Sequence, residues 1–176
     1  MRLNSFLTIF LLSFFLQSCE FNCSVGKKEP KGVAEEKNGT KLYNHIKLDA
    51  YKISVKRAYL VFEDGGRVPD DNFVDFSQPI KLMLDIDSGW VARDGRVFLG
   101  ASEKILTDDG TVLLDEPDLF KTATEGVKAS DAKSMYLKAT LHLKPNAAPT
   151  TFSVQFRVWD KNGDGYFEGS YMLNSK

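Results

Sequence analysis

The sequence predicts an all-β fold, an antiparallel β-sandwich of about seven strands. Three observations predict it. Apolar and polar residues alternate with a period of two along several segments, which is the pattern of half-buried strands. Turn residues separate those segments at short intervals. No long segment carries the apolar period of 3.6 residues that marks an amphipathic helix.

The N-terminal segment predicts export and lipid anchoring. An apolar run from Phe6 to Leu16 follows Arg2, and it is too short for a membrane span but typical of a secretory signal peptide. The run ends in Leu16-Gln17-Ser18-Cys19, which resembles the lipobox of bacterial lipoproteins. The resemblance implies that residues 1–18 are removed and that Cys19 carries lipid chains, including palmitate, that hold the protein on a membrane. An ordinary secreted protein, cut near the same position, is the alternative.

Residues 19–41 are expected to be a flexible, lipid-anchored linker, because their composition is polar and poor in large apolar side chains. Glu20 directly after Cys19 favours the outer membrane, and the chain resembles outer-membrane surface lipoproteins of uncharacterised function. Cys23 then has no partner within the chain, so the folded part is expected to lack disulfides. Residues 42–176 are long enough for one β-sandwich domain.

The middle of the chain is predicted to form strands joined by tight turns. Tyr51–Phe62 alternates with a break at Lys56-Arg57, which indicates a bulge in one long strand. Asp94-Gly95 and Asp109-Gly110 are hairpin signals. Two inward-facing rows follow from the alternation: Ile80, Leu82, Leu84 and Ile86, then Met135, Leu137, Ala139, Leu141 and Leu143. Strands of this number and spacing suggest an immunoglobulin-like or transthyretin-like outline, with a barrel as the alternative.

The last hairpin, Thr151 to Leu173, has the most strongly specified register. When Trp159 is set opposite Tyr166, every apolar residue of one strand meets an apolar residue or a glycine of the other. A slip by one residue would turn each side chain to the wrong face. The predicted pairs are Val158 with Phe167, Phe156 with Gly169, Val154 with Tyr171, Phe152 with Leu173, Arg157 with Glu168, and Gln155 with Ser170.

The tip of this hairpin admits two interpretations. Asn162-Gly163 suits a type I′ turn, in which both central residues have positive φ. Alternatively, Asp160, Asn162 and Asp164 followed by Gly165 resemble the opening of an EF-hand-type calcium loop. Both interpretations give the same strand register, so the alternation does not separate them. The plain turn is preferred, because short acidic motifs of this kind often occur without a metal.

The calcium interpretation needs further ligands from other loops. If the strands run alternately between the two ends of the sandwich, the loop after Asp87 and a turn at Asp115-Glu116 share an end with Asp160. Asp87 and Asp115 are therefore the expected additional ligands, since Ca²⁺ takes six to eight oxygen ligands.

A candidate binding surface lies on the outward face of the hairpin. Trp159 and Tyr166 face each other beside Arg157, and aromatic rings with polar edges suit a sugar ring or a partner protein. The alternative, which is preferred, is a cross-strand aromatic pair that stabilises the sheet and is partly covered by a neighbouring loop.

Composition and motifs argue against several classes of function. A formal net charge of −1 argues against nucleic acid as a partner, since neutralising phosphates needs a basic face. No phosphate-binding loop or nucleophile motif is present, and His45 and His142 lie outside any catalytic spacing. Asp85 and Asp87 share a strand face and are the only candidate acid–base pair for a hydrolase, the least favoured hypothesis.

The sequence therefore predicts a lipid-anchored, non-catalytic binding or assembly module of the cell envelope, on the periplasmic or surface side of the outer membrane. An envelope protein is the expected partner, and no cofactor is expected. The alternative is a calcium-dependent binder of a ligand or glycan that uses the Asp160–Gly165 loop.

Overall fold

Two sheets enclose one apolar core in the computed structural model, which describes residues 32–141, 143 and 148–175. Eight strands in this part have five or more residues, close to the predicted seven, and five more have only two or three. A single 3₁₀ turn spans Asp131–Lys133. The strands are β1 (Glu35–Lys37), β2 (Thr40–Leu42), β3 (Lys47–Tyr51), β4 (Ser54–Phe62), β5 (Phe73–Val74), β6 (Ile80–Ser88), β7 (Arg96–Val97), β8 (Leu99–Thr107), β9 (Val112–Glu116), β10 (Val127–Lys128), β11 (Ser134–Ala139), β12 (Thr151–Asp160) and β13 (Tyr166–Ser175).

The sheet order confirms the predicted antiparallel β-sandwich. The smaller sheet has the order β1-β2-β4-β6-β11, and the larger has the order β3-β13-β12-β8-β9, with β5 alongside β13. Most pairings are antiparallel, whereas β2 joins β4 and β5 joins β13 in parallel. A separate two-stranded ribbon pairs β7 with β10. No described segment is a helix of the length and apolar character needed to cross a membrane.

The predicted inward rows line the core. Ile80, Leu82 and Leu84 of β6 are buried, and so are Met135 and Leu137 of β11. They face the row Phe152, Val154, Phe156 and Val158 of β12, which is also buried. Each large apolar side chain removed from water in this way stabilises the fold by about 1.5–3 kcal/mol.

The predicted register of the last hairpin is confirmed pair by pair, from Trp159 with Tyr166 to Phe152 with Leu173. Gly169 shows why the register tolerates no slip. A Cβ atom at this position would lie 2.7 Å from Cζ of Phe156 and 2.1 Å from the carbonyl oxygen of Lys47. The aromatic ring and the neighbouring strand therefore occupy the space that any other residue would need.

The prediction of one long strand from Tyr51 to Phe62 is wrong. β3 ends at Tyr51 in the larger sheet, and β4 begins at Ser54 in the smaller one, so the chain crosses between the sheets at Lys52, whose φ is +59°. The predicted bulge exists as a register shift between Val55 and Arg57. Alternation gives the face of each residue but does not say which sheet the strand joins.

The predicted linker is too long at its C-terminal end. β1 lies within residues 19–41, and β2 begins within this range and extends the smaller sheet beside β4. The Thr40 hydroxyl donates a 2.6 Å hydrogen bond to the carbonyl of Val55 and is buried. Backbone pairing at the sheet edge thus orders a polar segment that buries little apolar surface. The signal peptide, Cys19, Cys23 and His142 lie outside the described residues.

Candidate functional site

Three rows of side chains cross the outer face of the larger sheet, because the strand register aligns every second residue of neighbouring strands. The first row is aromatic and contains Tyr51, Tyr166, Trp159 and Gly100. The second contains Asp49, Glu168, Arg157 and Ser102. The third contains Lys47, Ser170, Gln155, Lys104 and Asp115.

Two adjoining hollows lie over these rows. A hollow of about 560 Å³ covers the second and third rows. Another of about 460 Å³ surrounds Trp159 and is bounded by Pro117 and by the tip of the last hairpin. Arg157 and Ser102 line both hollows, so the two are continuous. We call this combined surface the outer groove.

The aromatic row contains the predicted surface residues Trp159 and Tyr166 together with Tyr51, which the sequence did not indicate as part of the surface. The Trp159 ring lies directly over Gly100 of β8, where a Cβ atom would be 2.1 Å from Cε2 of the indole. The Tyr166 ring contacts Tyr51 of β3, with centroids 5.7 Å apart and a tilt of 37°. Tyr51 is 48% exposed, and Trp159 and Tyr166 are partly exposed.

Arg157 connects the aromatic row to the polar rows. Its guanidinium carbon lies 4.2 Å from the centroid of Tyr166, a cation–π contact, and its Nη1 is 3.5 Å from Oε2 of Glu168. Both charged side chains are about half exposed, at 49% and 50%. Arg157 is thus held in place by two neighbours while it remains accessible from the groove.

The charges of the second and third rows balance. Three cations, Lys47, Lys104 and Arg157, lie among three anions, Asp49, Asp115 and Glu168. Lys104 pairs with Asp115 at 3.1 Å, and Asp49 pairs with Lys37 of β1 at 2.6 Å. Exposed ion pairs of this kind add little to stability. Their effect is to present alternating donors and acceptors without a net charge.

The structure does not assemble the five predicted calcium ligands. Asp160 is buried and already occupied, since its Oδ2 accepts a 2.6 Å hydrogen bond from the backbone N–H of Val91 and its Oδ1 a 2.8 Å bond from that of Asn162. Asp164 is paired with Lys52. Within the described ranges, no group of three or more His, Cys, Asp or Glu side chains is placed to hold a metal ion.

The two acidic residues expected from other loops are also elsewhere. Asp87 is an exposed residue of β6. Asp115 lies within β9, not in a turn, and its partner is Lys104. The loop after β6 does lie at the same end of the sandwich as Asp160, as expected, since the backbone N–H of Val91 in this loop donates a hydrogen bond to Asp160.

The type I′ interpretation of the tip is also wrong. The strands end at Asp160 and resume at Tyr166, and neither Asn162 nor Gly163 has a positive φ. Lys161 instead ties the tip to the body of the domain. Its backbone N–H donates to the carbonyl of Phe98 at 2.7 Å, and its Nζ pairs with Asp118 at 2.7 Å. Tertiary contacts thus act together with the local hydrogen bond from the N–H of Asn162 to Asp160 to set the tip conformation.

Asp85 of the candidate acid–base pair is engaged in structural contacts. The Asp85 carboxylate accepts hydrogen bonds from Arg57 Nε and, at 3.0 Å, from the Ser134 hydroxyl. Asp87 is exposed two residues away. His45 is exposed, with its Nδ1 3.7 Å from Glu35.

One buried carboxyl group escaped the sequence prediction. Glu103 is 2% exposed and lies on the core face of β8, between buried Ala101 and Ile105. The alternation along β8 could have predicted the burial of Glu103, because this residue occupies an inward position between Ala101 and Ile105. Burial raises its pKa to about 7.

The chain matches no protein-family model, and no curated protein matches its sequence. Among solved structures, it is similar to the C-terminal domain of Wzt, with a TM-score of 0.43 and 14% identity. The match covers 75% of this chain and 78% of that one.

Proposed function

We propose that the protein is a non-catalytic binding module of the cell envelope, anchored at the outer membrane by lipid on Cys19. The outer groove is its binding face, and another component of the envelope is its partner. The observation that carries the proposal is the row of partly exposed aromatic rings beside Arg157, at the junction of two continuous hollows.

The composition of the groove supports binding. Trp, Tyr and Arg are the residues most enriched at the centres of binding sites, because they combine a large contact area with polar groups. Trp159, Tyr166 and Arg157 lie together here, and Trp159 is accommodated by a glycine in the next strand. Hollows of these volumes fall within the range of ligand sites, about 300–1,000 Å³.

The proposed attachment rests on Leu16-Gln17-Ser18-Cys19, which resembles a lipobox. The expected result of a Cys19→Ser substitution is loss of palmitate labelling and accumulation of the uncleaved precursor. Globomycin, which inhibits the lipoprotein signal peptidase, should cause the uncleaved wild-type precursor to accumulate. Cys23→Ser is the matched control and should retain the label. Palmitate labelling and processing of Cys19→Ser at the wild-type level would contradict the anchor.

Binding to the envelope is tested by cross-linking in intact cells, followed by affinity purification of the tagged full-length protein. We expect the wild type to recover an envelope component, protein or polymer, and Arg157→Glu to recover about tenfold less, since the charge reversal sets two anions side by side with Glu168. Asp87→Ala, exposed on the other sheet, should leave recovery unchanged. Equal recovery by all three proteins would show that the groove is not the binding face.

A further inference from the structure

We propose that the outer groove binds an uncharged polysaccharide chain without a metal ion, with Trp159 and Tyr51 stacking on sugar rings. This inference deepens the proposed function, on which it rests, by giving the chemical class of the ligand.

The aromatic row has the shape that a sugar ring requires. Because Gly100 has no side chain, the Trp159 indole lies on the β8 backbone and offers a flat apolar surface beside the second hollow. Tyr51, at the other end of the row, offers a further accessible ring. A pyranose ring has one face made largely of C–H groups, which gains contact area and dispersion energy on an aromatic ring.

The polar rows supply partners for hydroxyl groups. A hydroxyl donates one hydrogen bond and accepts two, so a pair of neighbouring hydroxyls is best matched by an acceptor beside a donor. Arg157 and Glu168 form such a pair, 3.5 Å apart and both half exposed. Gln155, whose amide is both donor and acceptor, lies two residues along the same strand.

The charge balance selects against other ligands. Three cations and three anions in the second and third rows, with Asp164 beside the second hollow, leave no net positive field, so a nucleic acid, an anionic lipid headgroup or an acidic polymer gains little attraction. Protein interfaces, in contrast, deplete Lys, Asp and Glu side chains at their centre. The centre of this groove is occupied by charged and polar side chains, so a hydroxyl-rich neutral ligand fits better than a protein surface.

The extent of the groove favours a chain over a single sugar. The three rows cross up to five strands, and at about 4.8 Å between strands this is roughly 19 Å. Arg157 and Ser102 line both hollows, so a ligand stacked on Trp159 continues into the hollow between Lys47 and Lys104. Several linked sugar residues therefore have room in one orientation.

The test is affinity electrophoresis of the full-length protein in detergent, in gels that contain dextran, mannan, galactan or the neutral polysaccharide prepared from the envelope of the producing cells. We expect at least one of them to retard the wild type, with no effect of EDTA. Trp159→Ala should weaken binding about tenfold or more, and Tyr51→Ala should weaken it as well. Tyr51 is exposed, so its substitution keeps the test valid if Trp159→Ala fails to fold. Asp87→Ala is the control and should bind as the wild type does.

Three results would overturn the inference. One is the absence of retardation by every neutral polysaccharide, and another is equal or tighter binding of the acidic polymer polygalacturonate. The third is binding that Trp159→Ala and Tyr51→Ala both leave unchanged. If Arg157→Glu still abolishes recovery of an envelope protein while no polysaccharide binds, the proposed function stands and the polysaccharide inference alone is wrong.

Discussion

Replacing Glu103 with glutamine should nearly abolish the pH dependence of stability between pH 4.5 and 7, where the wild type is expected to lose about 3 kcal/mol. Glu103 is 2% exposed, and neither carboxylate oxygen has a hydrogen-bond partner in the described part of the chain. Burial therefore favours the protonated form and raises the pKa from 4.5 to about 7. The Tyr171 hydroxyl is also buried. Burial is the larger cause of the raised pKa of Tyr171, and the nearby Glu103 charge raises that pKa further.

The sign of this effect follows from the raised pKa. The folded protein keeps a proton that the unfolded chain releases above pH 4.5, so the free energy of unfolding falls as the pH rises and levels off above pH 7. Asp109 and Asp164 act in the opposite sense, because hydrogen bonds from Thr107 and Lys52 lower their pKa values below 3.8. Their contribution to stability is lost only as the pH falls below about 4, which lies outside the pH range of the Glu103 effect.

Urea unfolding at pH 4.5, 5.5, 6.5 and 7.5 measures the Glu103 effect directly. We expect the midpoint of the wild type to decrease through this series and that of Glu103→Gln to stay nearly constant. Glu168→Gln, half exposed on the outer face, should keep the wild-type slope. A Glu103→Gln variant with the wild-type slope would show that another group causes the pH dependence.

Asp160→Ala is expected to lower the free energy of unfolding by about 3 kcal/mol, because it leaves the backbone N–H groups of Val91 and Asn162 without their acceptor. Asp160 also sits at the junction of the hairpin tip and the loop after β6. Asp164→Ala, which removes only an exposed contact with Lys52, should change stability little. Thermal and urea unfolding of the two variants make the comparison.

The same variants test the calcium interpretation. With Asp160 bound to backbone N–H groups and Asp164 to Lys52, calcium titration should leave the melting temperature of the wild type unchanged. A calcium-dependent rise in the melting temperature that is lost in both variants would restore the metal loop and contradict the assignment of Asp160 as a structural acceptor.

The sequence predicts most accurately where packing alone decides. The hairpin register from Trp159 to Phe152 follows from alternation, because a shift by one residue would bury polar side chains. The inward rows of β6 and β11 follow from the same rule. Of the candidate site, Trp159, Tyr166 and Arg157 could be placed on one face, because they belong to a single hairpin.

The rest of the outer groove comes from strands distant in the chain. Tyr51 enters from β3 and Gly100 from β8, and neither position differs in pattern from an ordinary exposed tyrosine or turn glycine. At the tip of the hairpin, too, the sequence pattern does not show which distant groups contact the side chains. Its acidic residues match a metal loop in type and spacing, yet backbone N–H groups and Lys52 occupy the carboxylates.

By itself, the sequence determined the β-sandwich, the inward faces of β6, β11 and the last hairpin, and the register of that hairpin, since local alternation and the exclusion of polar groups from the core decide all three. Only the tertiary structure decided that the chain crosses between sheets at Lys52, that Asp160 accepts backbone hydrogen bonds, and that Trp159 lies on Gly100. Each of these depends on contacts between residues far apart in the chain, which a period of two does not encode.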